Sequence, residues 1–417
     1  MNDLRANLRI ALEAMPPLDE LASLWTGLEL RAQASVFTSW SLIGTWIRAL
    51  PLNARPHLLV ARHQGEIVGL AILVEGAARS LRMLRTKSWF LHCTGDAEHD
   101  GICSEYNGFL LDRRAPPSLA AAMLGFLLSR HTPGRLEITS AQSSLVSLAR
   151  KPPPGLLAQV RERRSYMVSL DDVREHRGDY LGMLSSNSRS QIRRSMKAYE
   201  ALGPLRLDIA RDRGTALQYL DRLMALHALR WEDKGVESHF ARAPIARRFH
   251  ERLIDEAFDQ GIVQLIKVSA GEHEVGYLYN LVYQGRVAYY QSGLNFGLLD
   301  KHDRPGLVAH TLAVQHNLAL GHQWYDFMAG DYRYKASMST HIEAQAWCRF
   351  ESDGLTARLE HLMRRGRSMA RSLVRSEDRD WPTSLDDERS AQTPATGGPV
   401  LLRSVGSALS TCAAYLA

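Results

Sequence analysis

Apolar and polar positions change period along this chain, and the changes mark out its elements. In the second half, three short runs, Ile262–Val268, Val275–Tyr283 and Val287–Leu294, are rich in Val, Ile, Leu and Tyr. They are separated by Ala270-Gly271-Glu272 and Gln284-Gly285, which predicts three consecutive strands joined by turns. A polar loop, Asn295–Arg304, closes on Pro305-Gly306, and a helical pattern over Leu307–Leu320 ends on Gly321. A short strand, Trp324–Met328, then leads into Ala329-Gly330-Asp331-Tyr332-Arg333-Tyr334-Lys335. This order suits a fold that seats a phosphorylated ligand on a helix N-terminus, where free N–H groups and the helix dipole favour anions.

The first half repeats the theme. His57–Arg62 and Ile67–Val74 flank His63-Gln64-Gly65-Glu66 and read as a hairpin, with Lys87–His92 as a further strand. A helix begins near Pro116-Pro117-Ser118 and runs over Leu119–Ser129, and Arg135–Thr139 follows as a strand. The element order matches that of the second half, which predicts two tandem copies of one α/β unit. Pro152-Pro153-Pro154 interrupts the pattern within Ala149–Gly155, because consecutive prolines exclude helix and central strand. Tyr166–Leu170 reads as a strand opening the second copy; Leu181–Leu202 and Leu217–Leu229 read as helices. The expected organisation is an N-terminal domain over 1–160, a C-terminal domain over 161–360, and a tail over 361–417. That tail holds a basic amphipathic helix at Leu355–Val374 and a disordered stretch from Ser376, rich in Asp, Ser, Thr, Gly and Pro.

At 417 residues the chain is long enough for two cores, and 45% apolar with 23% charged residues is ordinary for a globular protein. The net charge of +6 comes in dispersed arginine runs, which favours small phosphorylated ligands over a nucleic-acid stripe; DNA is not an expected partner. Cys93, Cys103, Cys348 and Cys412 form no C-x-x-C pair, which argues against a zinc site or disulfide framework and fits a reducing, cytoplasmic setting. No uncharged apolar run reaches the roughly 18 residues of a spanning helix.

Several phrases together resemble one family. They are Leu184-Ser185-Ser186-Asn187 with Arg189, Arg193 and Arg194; His227 with Arg230, Trp231, Lys234 and Gly235; Phe249-His250; Pro305-Gly306; and Tyr325-Asp326-Phe327 with Gly330-Asp331 and Tyr334-Lys335. Weaker echoes are Thr94-Gly95-Asp96 and Glu105-Tyr106-Asn107. In order and spacing the set resembles the GNAT superfamily of acyl-CoA transferases, in the branch that includes cellulose-biosynthesis-type acetyltransferases and Fem-type aminoacyl-ligases. The resemblance implies two tandem GNAT-like domains, each a mixed, mostly antiparallel sheet flanked by helices. It implies acyl-CoA, such as acetyl-CoA, as co-substrate with no tightly bound cofactor or metal, and an amine acceptor on a small molecule or envelope precursor. Peripheral envelope-synthesis partners are a further expectation. The phosphate signature departs from the family pattern: Asp303-Arg304-Pro305-Gly306-Leu307-Val308 lacks the first cation and has Val as its second small residue.

Acyl transfer from a thioester needs a phosphate cradle, a polarised carbonyl, a neutral amine and a proton for the leaving thiolate. Gly306 and Leu307 at the helix start, with Arg304, suit the cradle; a simple turn into a helix is the plainer alternative. Gln291 and Gly293 lie on the strand whose backbone would polarise the carbonyl, and Gly293 would permit a bulge there or merely end the strand. Asp326 or Asp331, at the end of a sheet strand, could take the amine proton, or serve as structural acceptor and turn residue. Tyr332 and Tyr334 are candidate acids, and Lys335 a ligand-binding cation or a solvated surface lysine. His227, Arg230, Trp231 and Lys234 share one helix face and suit the wall of an anion-binding cleft, or form an exposed basic face. A Fem-type ligase using aminoacyl-tRNA and a non-catalytic scaffold are the competing readings.

Overall fold

The computed structural model describes residues 7–80, 84–96, 99–100, 105–232, 244–355 and 357–358. The expected tail helix beyond residue 358, the disordered stretch from Ser376, Lys234, Gly235, Cys103 and Cys412 lie outside them. The first half runs β1 (Leu8–Ala14), α1 (Leu18–Glu29), α2 (Trp40–Ala49), β2 (Pro56–His63), β3 (Glu66–Ser80), β4 (Leu84–Leu91), β5 (Leu110–Leu111), α3 (Leu119–Arg130), β6 (Arg135–Ala141) and α4 (Ser143–Arg150). There follow β7 (Leu156–Ser169), α5 (Leu170–Glu175), α6 (Tyr180–Met183) and α7 (Ser186–Glu200). The second half runs β8 (Leu205–Ile209), α8 (Arg213–Glu232), α9 (Pro244–Ala257), β9 (Val263–Ala270), β10 (His273–Tyr283), β11 (Arg286–Leu294), α10 (Pro305–Ala319), β12 (Trp324–Ala329), α11 (Arg333–Met338) and β13 (His341–Ser352).

The strands join one continuous sheet in the order β1-β2-β3-β4-β6-β13-β7-β12-β11-β10-β9-β8, with β5 beside β3. Read from its two ends, the order is the same unit twice. Strands β1 to β4 are antiparallel and β4 meets β6 in parallel; β8 to β11 are antiparallel and β11 meets β12 in parallel. Each copy gives its last strand to the other side: β7 follows β6 in sequence but pairs with β12, while β13 follows β12 and pairs with β6. The exchanged strands pair antiparallel with each other along twelve positions, His341↔Met167 to Ser352↔Leu156.

The duplication extends to a bulge. Thr139-Ser140 lie opposite Trp347 alone, and Phe327-Met328 lie opposite Tyr166 alone; Ser140 and Met328 both have positive φ, 44° and 64°. Hairpin turns follow their sequence: Gln64-Gly65 and Gln284-Gly285 both take left-handed φ, as a two-residue turn requires. One core packs α1, α2, α8 and α9 on one face of the sheet and joins both halves, while α3 with α4, and α7 with α10, cover the other face in separate clusters.

Three boundaries differ from the sequence reading. The strand expected at Tyr166–Leu170 starts at Leu156, because the run Arg161-Glu162-Arg163-Arg164 hides its alternation, and Leu170 instead opens α5 under the Ser169 cap. The helix expected over Leu181–Leu202 is broken: Ser185 accepts from Ser188 N–H and starts a new helix there. Strands β1, β8 and β13 and helices α1 and α2 lacked a legible signal.

Candidate active site

β11 and β12 are paired only over Arg286–Ala288 and Trp324–Asp326, and beyond that the two strands part. The parting begins where β11 carries an extra residue: Tyr279 and Asn280 face Gln291 and Tyr289, so Tyr290 is the bulge. Gly293, expected to permit that bulge, sits three residues further and does something else. A Cβ there would lie 2.2 Å from the Leu223 carbonyl oxygen, so glycine lets α8 press against β11. Gln291 is buried, and its Oε1 accepts from the Ser292 N–H at 2.9 Å; the Ser292 hydroxyl pairs with the Tyr289 hydroxyl at 2.7 Å.

At the mouth of the gap stands the start of α10. Pro305 occupies its first turn and no side chain caps it; with no N–H on Pro305 and those of Leu307 and Val308 turned back to the Arg304 carbonyl, Gly306 supplies the N–H for an incoming anion. Leu307 is buried and its N–H bonds back to the Arg304 carbonyl at 3.1 Å. Gly306 spares space: a Cβ would meet Leu294 Cδ1 at 3.2 Å. Arg304 is exposed and donates to Gln191 Oε1 at 2.6 Å, which ties the cradle to α7. Asp303, the acid in place of the family cation, is committed to the Tyr199 hydroxyl and the Gly297 N–H. On the outer side of α7, Arg189, Arg193, Arg194 and Lys197 line an open groove of about 330 Å³ with Ser186 and Ser190.

The end of β12 gathers a cluster of buried charge, Glu105, Asp326 and Lys335. Asp326 is fully buried: Oδ1 accepts from Ser165 Oγ at 3.1 Å and Met328 N–H at 2.7 Å, and Oδ2 from Tyr106 Oη at 2.6 Å and Arg286 Nε at 2.9 Å. With four donors on two oxygens, it fits the structural alternative rather than the expected base. Arg286 also reaches Glu343 Oε2 at 2.9 Å, so the network crosses both halves and both exchanged strands. Asp331 is exposed and accepts from the Tyr166 hydroxyl at 3.3 Å. Tyr334 is partly buried; burial, with Tyr289 beside it, holds its hydroxyl proton well above the ordinary range.

Lys335 is not a surface lysine. It is fully buried, and Nζ donates to the Ala329 carbonyl at 2.9 Å and the Met328 carbonyl at 3.4 Å. Glu105 from the first half locks the same residue from the other side, Oε2 accepting the Ala329 N–H at 2.7 Å. Burial raises the Glu105 pKa, and the Lys335 ammonium is the largest influence opposing it. His310, on α10, is driven down to about 3 by burial and then by Lys335, so its ring is neutral; Nδ1 lies 3.0 Å from the Tyr325 hydroxyl.

The helix face at His227 splits. His227 and Trp231 turn inward, with Trp231 Nε1 donating to His227 Nε2 at 2.9 Å, while Arg230 stacks over Phe296 at 4.2 Å. The i, i+4 spacing brings the two rings together, but burial takes them out of an anion-binding wall.

The corresponding gap in the first half, between β4 and β6, is filled by the chain itself. Asn107 N–H donates to the Ser140 carbonyl at 2.9 Å and the Asn107 carbonyl accepts from Gln142 N–H at 3.0 Å; its side-chain Nδ2 donates to the Leu91 carbonyl at 2.7 Å. His92 Nδ1 lies 3.0 Å from Asn107 Oδ1. Glu105, Tyr106, Ser165, Arg286 and Glu343 are thus site residues that reasoning from sequence missed; the phrase Glu105-Tyr106-Asn107 was the signal for the first two.

Comparisons with known proteins agree with this architecture. Residues 186–336 carry a match to the family model described as Acetyltransferase (GNAT) domain. Among solved structures, FemX is similar with a TM-score of 0.50 and 12% identity, over 81% of this chain and 96% of that one. A conserved protein of unknown function from Bacteroides thetaiotaomicron VPI-5482 gives 0.50 and 8%, over 82% and 100%. A tandem GNAT protein from the clavulanic acid biosynthesis pathway gives 0.42 and 12%, over 83% and 99%. For the first two the likeness is one of fold. A search of curated protein sequences finds no match. The chain is thus an α/β protein built from one unit twice, and residues 186–336, within and just before its second copy, are similar to an acetyltransferase (GNAT) domain.

Proposed function

We propose that the second copy is an acyltransferase that takes an acyl thioester, acyl-CoA, between β11 and β12 and passes the acyl group to an amine. The observation carrying this reading is the difference between the two gaps: the first is plugged by Asn107, the second has no such strand-like plug among the described residues. The uncapped start of α10, with Arg304, Gly306 and Leu307, would receive the pyrophosphate. Backbone N–H groups of β11 beyond Ala288, released from β12 by the parting, would face the thioester carbonyl. Of the two acids, Asp331 is the one with room to accept the amine proton. Tyr334, protonated at neutral pH, would donate to the leaving thiolate. Lys335 and Asp326 would hold the end of β12 in place.

Calorimetric titration with acetyl-CoA tests the reading. Binding in the wild type, weakened about ten-fold or more in Gly306→Trp with little change in melting temperature, is the expected result. A well-folded wild type giving no heat with any acyl-CoA at millimolar concentration would refute it. A second reading, an aminoacyl-tRNA donor, is favoured by the basic outer face of α7, and loss of acyl-CoA binding would move the weight there.

A further inference from the structure

The exchanged strands β7 and β13 present one face that is crowded with charge. Alternate residues of β13 on it are Glu343, Gln345, Trp347, Arg349 and Glu351; opposite them on β7 are Ser165, Arg163, Arg161, Gln159 and Leu157. Nearly every cation contributed to this face has a carboxylate. Arg349 Nε meets Glu137 Oε1 at 2.5 Å, Arg135 Nε meets Glu351 Oε1 at 2.5 Å, and Arg286 meets both Glu343 and Asp326 at 2.9 Å. Arg161 and Arg163 differ. No ion pair is recorded for either among the described residues, and both guanidiniums lie over the Trp347 ring, at 4.6 and 4.4 Å from its centroid.

That arrangement is electrostatically incomplete. Two residues apart on one strand, the two cations start roughly 7 Å apart at their Cα atoms, on the same side, and repel each other. The Trp347 ring fixes both, so little rotamer freedom remains to be lost on binding an anion. Glu105 lies near enough to Arg163 to feel its charge, but its Oε2 is occupied by the Ala329 N–H. Arg161 is exposed and Arg163 half-buried, so the forks are reachable. Tyr332 also feels Arg163, which places this pair beside the end of β12.

We propose that Arg161, Trp347 and Arg163 form a docking site for a phosphoryl or pyrophosphoryl group, outside the α10 cradle, that belongs to the acyl acceptor. Two guanidinium forks match phosphate oxygens in a way that two ammonium groups would not. The anion site stands on geometry alone; its assignment to the acceptor rests on the acyltransferase reading above.

The test is calorimetric titration of inorganic pyrophosphate into the full chain, on an Arg304→Gln background so that the α10 cradle contributes less. Arg161→Gln with Arg163→Gln should weaken pyrophosphate about ten-fold or more and leave acetyl-CoA affinity unchanged. Trp347→Leu keeps both charges but removes their platform and should weaken it several-fold; Arg163→Lys, the mildest change, should do so while keeping the melting temperature. Pyrophosphate binding that is absent in the parent, or equal in parent and double variant, overturns the proposal. If acetyl-CoA fails to bind but the pyrophosphate results hold, the acyltransferase reading falls and the anion site stands.

Discussion

The two copies of the unit part company at their central gaps. Between β4 and β6, the main chain of Asn107 bridges the opening and hydrogen-bonds to Ser140 and Gln142 on one side, with its side chain on Leu91. Between β11 and β12, the corresponding bulge meets no main-chain bridge among the described residues; the Ala329 N–H is met by the Glu105 side chain, two residues before the plug. The same unit therefore closes one gap with backbone and leaves the other without such a bridge among the described residues, according to the loop after its fourth strand. The closed copy also serves the open one, since Glu105 and Tyr106 reach across to brace β12.

The largest effect that tests this contrast is expected at Lys335. Lys335→Ala removes the ammonium that holds the end of β12 and takes from the buried Glu105 its largest compensating charge, at a cost of about 3–5 kcal/mol in chemical denaturation. The sequence reading placed this lysine on ligand, where alanine would cost little stability. Adding Glu105→Gln should restore part of the loss. A loss under about 1 kcal/mol for the single variant would mean that the two halves are not braced here.

Acid should come next. His92, in the closed gap, is held down to about 4 by burial, and His310, beside the open one, to about 3. A folded-state pKa below the unfolded one favours the neutral ring in the fold. This stability is present above the unfolded pKa of 6.5 and is lost as pH falls through 6.5 toward 4 and 3. Each histidine should then contribute about 3–5 kcal/mol to the acid-induced loss. Replacing either by Gln should flatten the stability profile between those limits, and an unchanged slope would contradict the assignment.

A smaller effect is expected at the plug. Asn107→Ala removes the side-chain bonds to Leu91 and His92, worth about 1–3 kcal/mol, but leaves the main-chain bridge in place. Acetyl-CoA stoichiometry should stay the same. A second bound equivalent would show that side chain, not backbone, closes the first slot.

Legibility followed the reach of the interactions. The three strands before α10, the turn at Gln284-Gly285 and the proline start of α10 were readable because turn conformation and apolar periodicity are local. β13 was not, since its buried face alternates with Glu343, Gln345, Arg349 and Glu351, charged or polar groups paired with distant partners. For the site, burial gave Lys335 and Asp326 surroundings other than those expected, since no phrase of the sequence records which polar side chains the fold will enclose.

By itself the sequence determined two α/β units in tandem, their hairpins, and the glycine-bearing helix start at the mouth of one gap. These rest on φ preferences and on side-chain periods of two and 3.6, which each segment carries within itself. Only the tertiary structure decided that β7 and β13 change places, that Asp326 is saturated with donors, and that Asn107 closes one slot while Glu105 braces the other. Those outcomes depend on hydrogen bonds and charges between separate elements, from Asn107 with Leu91 to Tyr106 with Asp326 across the two halves, and no local pattern records which partner a buried polar group will find.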